Sequence, residues 1–311
     1  MDFVSGVGNI NIDILYSGIE NIPSEGEEVY SKGFDIQLGG GVPATMINLT
    51  RLGVPSKFCT FLGNNMFSNY AKDQLDFYQT SYKNLYQGNG MPLTITSIIS
   101  TKKDRTFISY SDPVQITKVL EDEIYAYLKG SKIVEMTKGY LNVYKRLKAE
   151  GTTLIFDVGW EDSLSLDKYS EYLELADYFT PNQKEALKIT ESSNLKEAAD
   201  KLKKYFNKVI IKLDKEGCMY VEEDNTYIVP PLKGIKAIDS TGAGDAFLSG
   251  FIYGLYHNYP LSDAVLFGNI TGGSCVQGVG CLTSYLEEKK LLEIAETMRP
   301  QINRAGTDKY Y

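Results

Sequence analysis

The chain has 311 residues, 43% of them hydrophobic, enough for a sizeable core in one large domain or a domain with an appendage. Its 32 basic and 40 acidic residues give a net charge of −8. That balance argues against nucleic-acid or anionic-membrane partners, points to small molecules, and leaves phosphate recognition to local backbone amides. The single histidine, His257, argues against a Ser-His-Asp hydrolase and against histidine-ligated metals, so proton transfer must rest on carboxylates, Lys, Tyr or Cys. Cys59, Cys218, Cys275 and Cys281 lack Cys-x-x-Cys spacing and are expected as reduced thiols. No stretch reaches the ~18 apolar residues of a membrane span, and the opening Met1-Asp2-Phe3 lacks a basic, then apolar leader, so a cytoplasmic protein is expected.

Residues 3–7 read as a buried strand, followed by Gly8-Asn9-Ile10-Asn11-Ile12-Asp13. With no third glycine and no helix pattern after it, this is not a dinucleotide loop. Residues 12–37 alternate like antiparallel strands. Gly39-Gly40-Gly41-Val42-Pro43-Ala44 then opens a helix, with Pro43 suited to its first turn and Gly53, after Arg51-Leu52, to its stop. A strand over 57–62 and a helix over 66–78 come next. Residues 91–110 alternate again and carry Arg105, a candidate clamp for an anionic or hydroxyl-rich acceptor.

Beyond this the rhythm is regular: helix 121–128, strand 132–136, helix 140–150 and strand 153–157, with Trp160 expected in the core. After the short strand-like Tyr178-Phe179, Pro181 and Asn182 open a helix with Glu185 one turn in, and a helix over 195–206 precedes a strand over 209–213. Lys212-Leu213-Asp214-Lys215-Glu216-Gly217 turns into a further strand, and helices over 261–275 and 287–298 follow. Buried strands alternating with helices predict an α/β fold in which a mostly parallel sheet is covered on both faces.

Asp239-Ser240-Thr241-Gly242-Ala243-Gly244-Asp245 carries the chemistry. Two carboxylates bracket two glycines where the helical run Ala246-Phe247-Leu248 begins, so free N–H groups and a positive dipole end meet a buried acid. Amides of Gly242, Ala243 and Gly244 converging there can hold the charge of a phosphoryl group in transfer, while Asp245 takes a proton from the attacking hydroxyl. Gly250 and Gly254 on one stripe predict close packing of this helix against a neighbour. An ordinary helix cap with no ligand is the alternative for the segment. No Gly-x-x-x-x-Gly-Lys-Ser/Thr loop or protein-kinase signature is present.

The Asp-x-Thr-Gly-Ala-Gly-Asp run resembles the C-terminal signature of the ribokinase-like (PfkB) carbohydrate kinases, and the stretch from Gly39 to Gly53 resembles their N-terminal signature. The resemblance, over roughly residues 3 to 300, implies a three-layer ribokinase-like fold in one domain over 1–311. A discontinuous β lid would come from about 12–37 and 91–110. It implies ATP-dependent phosphorylation of a small sugar; a nucleoside kinase of the same fold and a non-catalytic sugar or nucleotide sensor are the alternatives. By the same resemblance Asp245 is the base, and Asn11, Asp13, Gly40, Gly41 and Arg105 line the acceptor site. Lys212, Gly217 and Asn269 border ATP. Asn182 and Glu185 act on magnesium through water, although a capping pair has the same spacing. Asp239, Gly280 and Ser284 match a loop that binds a monovalent cation, potassium, in many relatives. A homodimer through the lid is expected. Two departures stand out: Ala44 replaces a sugar-contacting Asn, and Asp214 replaces a glycine of the nucleotide turn.

Overall fold

The computed structural model describes residues 2–103, 105–223 and 225–304. Six parallel strands form its central sheet: β1 (Val4–Val7), β4 (Ser56–Thr60), β5 (Ser81–Asn84), β8 (Ile133–Met136), β9 (Thr153–Phe156) and β10 (Tyr178–Phe179). They stand in the order β10-β9-β8-β1-β4-β5. Successive side chains point to opposite faces of a strand, and both faces here are apolar. Phe58, Ile133 and Ile155 enter one core layer, whereas Cys59, Val134 and Leu154 enter the other.

The first layer is covered by α1 (Gly41–Arg51), α2 (Met66–Phe77), α8 (Ala243–Tyr256), α9 (Leu261–Cys275) and α10 (Glu288–Met298). The second lies under α3 (Lys118–Leu128), α4 (Leu141–Ala149), α5 (Leu166–Leu175), α6 (Gln183–Ile189) and α7 (Leu195–Leu202). The glycine stripe of α8 has the expected purpose: a Cβ on Gly250 would lie 2.5 Å from the Phe267 carbonyl, and one on Gly254 2.5 Å from the Ala264 Cα. α8 and α9 therefore touch backbone to backbone, a contact that any side chain would force apart.

Two smaller sheets flank this body. β2 (Asn11–Ile19), β3 (Gly33–Gly39), β6 (Thr94–Thr101) and β7 (Arg105–Tyr110) form one, in the order β3-β2-β6-β7. Both expected alternating regions lie in it, each as an antiparallel hairpin, but β2 and β6 join the hairpins in parallel. Local alternation reports the hairpin and is silent on how two hairpins meet. The other sheet is β11 (Lys208–Lys212), β12 (Cys218–Glu222), β13 (Asn225–Val229) and β14 (Asn303–Arg304). This corrects the placement of residues 209–213 in the parallel sheet: β11 pairs antiparallel with β12 and meets the main sheet through one parallel bridge, Asn182 to Lys212. Its apolar run is buried on both sides all the same, Ile210 in one layer and Val209 and Ile211 in the other, which is why it reads like a central strand.

The four cysteines are buried free thiols. Trp160 is a second correction. It is 56% exposed, on the segment that follows β9, so size alone misplaced it in the core.

Candidate active site

From β1 the sheet runs to β4 and β5 on one side and to β8, β9 and β10 on the other, so the loops leaving β1 and β8 diverge. Such a reversal opens a crevice at the carboxyl ends of the strands, where open α/β sheets bind ligands. A cavity of about 370 Å³ lies there, lined by Gly8 and Asn9 after β1, Gly41 of α1, Glu135 of β8, Asp157 after β9 and Asp245 of α8.

Gly242 caps α8 with φ 74, and a Cβ on it would lie 2.0 Å from that of Cys281. Conformation and space both demand glycine here. The loop thus enters the helix tightly: Ala243 N–H donates to the Ser240 carbonyl at 3.3 Å, and Asp245 stands in the first turn. Asp245 Oδ1 lies 3.4 Å from where a Gly41 Cβ would be, and Lys212 Nζ 3.4 Å from where a Gly244 Cβ would be. The two glycine-rich helix starts and the end of β11 therefore converge on one carboxylate.

Burial pushes the Asp245 carboxyl up to about 7; the Asp157 charge adds to the effect and Lys212 opposes it. Burial alone would lower Lys212, but the carboxylates of Asp157, Glu185 and Asp245 more than offset it and hold the ammonium above its ordinary value. Glu185 is raised by burial, with Lys212 pulling it down. Glu135, 2% exposed, is raised well above the carboxylate range by burial and by the charges of Asp245 and Asp157. The buried Thr45 hydroxyl beside it opposes that rise.

Asn182 and Glu185 form the capping box of α6: Glu185 N–H donates to Asn182 Oδ1 at 3.0 Å, and Asn182 N–H to Glu185 Oε2 at 2.8 Å. Capping and membership of the carboxylate group coexist in Glu185. Among the described residues no three His, Cys, Asp or Glu side chains converge as a ready-made metal site. Paired carboxylates around open space suit an ion that keeps most of its waters.

Asn11, Asp13, Gln37, Thr96 and Ser109 share one face of the β3-β2-β6-β7 sheet by register. Asp13 Oδ2 lies 2.9 Å from where a Gly39 Cβ would be, next to Gly40 with φ 106. Burial, then the charge of Asp239, raises Asp13 to about 6. Ala44 is fully buried in the core layer.

Arg105 of β7 is engaged by the loop before α8: Nη1 donates to Asp239 Oδ1 at 2.5 Å and to Thr241 Oγ1 at 2.6 Å. Asp239 Oδ1 also accepts from Thr241 N–H at 3.0 Å, and Oδ2 from Gly280 N–H at 2.9 Å. Ser284 Oγ donates to the Ser274 carbonyl at 2.7 Å. Lys212 and Arg105 bring two cationic side chains to this region, one beside Gly244 and one on Asp239, which a net charge of −8 does not report.

In the turn between β11 and β12, Asp214 has φ 52 and Gly217 φ 97, so the aspartate adopts a left-handed conformation that suits glycine and that short polar side chains can also take. Its carboxylate accepts from Gln183 Nε2 at 2.6 Å. Asn269 is 8% exposed and donates to the Pro230 carbonyl at 2.6 Å, which ties α9 to the segment after β13.

The profile of a family described as pfkB family carbohydrate kinase matches residues 1–289. The chain belongs to that family. As a pfkB family member it is an ATP-dependent carbohydrate kinase. It is 25% identical to a 5-dehydro-2-deoxygluconokinase of Clostridium tetani, covering 91% of this chain and 92% of the relative. It is 25% identical to a nucleoside kinase of Methanocaldococcus jannaschii, covering 96% and 98%. The structure of an Arabidopsis thaliana ribokinase complexed with ribose and ATP superposes with a TM-score of 0.82 at 21% identity, covering 94% of this chain and 99% of that one.

Sequence reasoning missed Glu135 and gave Asp157 no role, although both line the cavity beside Asp245. The available signal was a charged residue in the last turns of strands otherwise apolar: Ile133-Val134-Glu135-Met136 and Ile155-Phe156-Asp157.

Proposed function

We propose that the chain transfers the γ-phosphoryl group of ATP to a hydroxyl of a small carbohydrate, with Asp245 taking the hydroxyl proton as the oxygen attacks. The observation that carries this reading is the Asp245 carboxylate in the first turn of α8, beside Gly41 and in one cavity with Asp157 and Glu135. A carboxyl at about 7 is matched to proton transfer near neutrality. The charge leaving with the γ-phosphoryl falls on the helix start at Gly242, Ala243 and Gly244, with the Lys212 ammonium alongside.

Asn11, Asp13, Gly40 and Gly41 are proposed to hold the acceptor under the β3-β2-β6-β7 sheet, which acts as a lid. Lys212, Gly217 and Asn269 border ATP in this proposal, Asn269 by holding the Pro230 segment. Magnesium would sit by Glu185 and Asp157, with Asn182 fixing Glu185, and would screen the phosphates; turnover that survives EDTA at full rate would contradict it. A potassium ion at Asp239, Gly280 and Ser284 would share its carboxylate with Arg105. Use of ATP makes a cytoplasmic setting part of the proposal.

The other face of the lid is apolar. Ile14, Tyr16, Phe34, Ile36, Ile99 and Ile108 lie on it by register, with Phe34 and Ile108 more than half exposed. A second copy of the chain is proposed to cover this face, to be checked by sedimentation of wild type against Ile108→Asp. The test of function is ATP consumption over ribose, fructose, 2-keto-3-deoxygluconate, 5-dehydro-2-deoxygluconate, tagatose phosphate and adenosine. A sugar as best acceptor is expected; adenosine as best acceptor would favour the nucleoside kinase, and no turnover with any acceptor a sensor. Because Ala44 offers no side-chain hydrogen bond where relatives have Asn, ribose is expected to be poor.

A further inference from the structure

The loop before α8 is bound by a side chain from the lid. Arg105 lies at the start of β7, an edge strand of that sheet, and reaches Asp239 and Thr241 more than 130 residues away in sequence. Nη2 adds a contact to Ser240 Oγ at 3.5 Å. The Asp239 side chain is 11% exposed and collects Arg105, the Thr241 amide and hydroxyl, and the Gly280 amide. One carboxylate thus fastens three segments: the lid, the loop that ends at Gly242, and the loop that packs Cys281 against Gly242.

A guanidinium is suited to this place. Its fixed fork satisfies a carboxylate and a hydroxyl together, and it stays charged at any working pH. Because Arg105 rides on the lid, the tether can form only when the lid lies over the cleft. The Arg105 face of the sheet also carries Asp13, and a second cavity of about 550 Å³ lies between lid and loop around the contact. This ion pair therefore links lid position and loop geometry, alongside the contact of Cys281 Sγ with the Leu38 carbonyl of β3 at 3.5 Å.

We propose that Arg105 is a positioning residue for phosphoryl transfer: by binding Asp239 and Thr241 it sets the loop that opens α8 only when the lid is closed, and brings a positive charge with it. The proposal rests on the kinase reading above for its kinetic consequences. The Arg105 guanidinium is taken up by Asp239 and Thr241, so its effect is expected in kcat and not in ATP binding.

The test compares Arg105→Ala and Arg105→Lys with wild type at saturating Mg-ATP and the best acceptor. For Arg105→Ala, kcat is expected to fall about tenfold or more with the KM for ATP within twofold. Arg105→Lys should recover part of the loss, as should guanidinium added to Arg105→Ala at concentrations far below denaturation. A kcat within twofold of wild type would overturn the proposal, as would a loss that neither lysine nor guanidinium relieves, which is what a purely structural role predicts. Hydrogen exchange of the free enzyme keeps the two readings apart if wild type phosphorylates nothing. Faster exchange over residues 238–242 in Arg105→Ala would uphold the tether while the kinase assignment fell, and unchanged exchange there would sink the tether whatever the activity.

Discussion

Replacing Asp245 by Asn should make the protein more stable and nearly inactive, and the structure sets the size of both effects. The folded protein holds this carboxyl at about 7, against an ordinary value of 3.8. At 1.36 kcal/mol per unit, ionising it inside the cavity costs the fold a ceiling of about 4 kcal/mol. Solvent reaching the cavity screens the charges and reduces the working figure to about 1–2 kcal/mol. The sign follows from linkage: with a raised folded value, the stability due to this group is complete below about pH 4 and is lost as pH rises through about 7. Asp245→Asn has no such loss. Urea unfolding of both proteins between pH 4.5 and 8 should give a difference that is small at the acid end, grows with pH and levels off above about 7, where Tm should be higher by about 2–4 °C. In the same preparation kcat should drop about 10²-fold or more, because the amide keeps the shape and cannot take the proton. Equal stabilities at pH 8 would refute the account of the charge, and a kcat within threefold of wild type would refute the account of the base.

Wild-type kcat/KM for the acceptor should decline with unit slope below about pH 7, and Lys212→Met, which removes the cation opposing the Asp245 shift, should move that limb upward by about one unit; a profile flat from pH 5.5 to 8 would contradict both. Asp13→Ala should raise the acceptor KM at least tenfold, since each charge-assisted hydroxyl bond is worth about 1.5–3 kcal/mol, and leave the KM for ATP near its original value. A rise in the ATP constant alone would misplace the acceptor. Gly242→Ala should cost about 2–4 kcal/mol in urea unfolding, because φ 74 and the overlap with Cys281 both act against a Cβ; a loss under 1 kcal/mol would show that the loop yields.

Much of this site could be read before any coordinates because its backbone needs leave marks in composition. Gly242, Gly53 and Gly217 sit at positive φ, and such positions show in a sequence as glycines at fixed offsets from helices and strands. Asp214 shows the limit: the same conformation with another residue weakened the pattern without changing the turn. What stayed hidden depends on distance along the chain. The partner of Arg105 lies in the loop before α8, more than 130 residues on, the parallel junction of β2 with β6 has no local signature, and Glu135 acquires meaning only when α1 and α8 close over β8. Ala44 marked a departure from the family, and its complete burial gives no new acceptor contact to replace the missing one.

The parallel seam in the lid also sets an order of assembly. Each hairpin, β2 with β3 and β6 with β7, can close locally within microseconds, but Asn11 finds Thr94 only after the intervening strands β4 and β5 and helices α1 and α2 have been gathered in. The face that carries Asp13, proposed to hold the acceptor, is therefore completed only once this seam has closed. In a refolding experiment the helical signal of the body should return ahead of acceptor binding, which waits on the seam between the two hairpins.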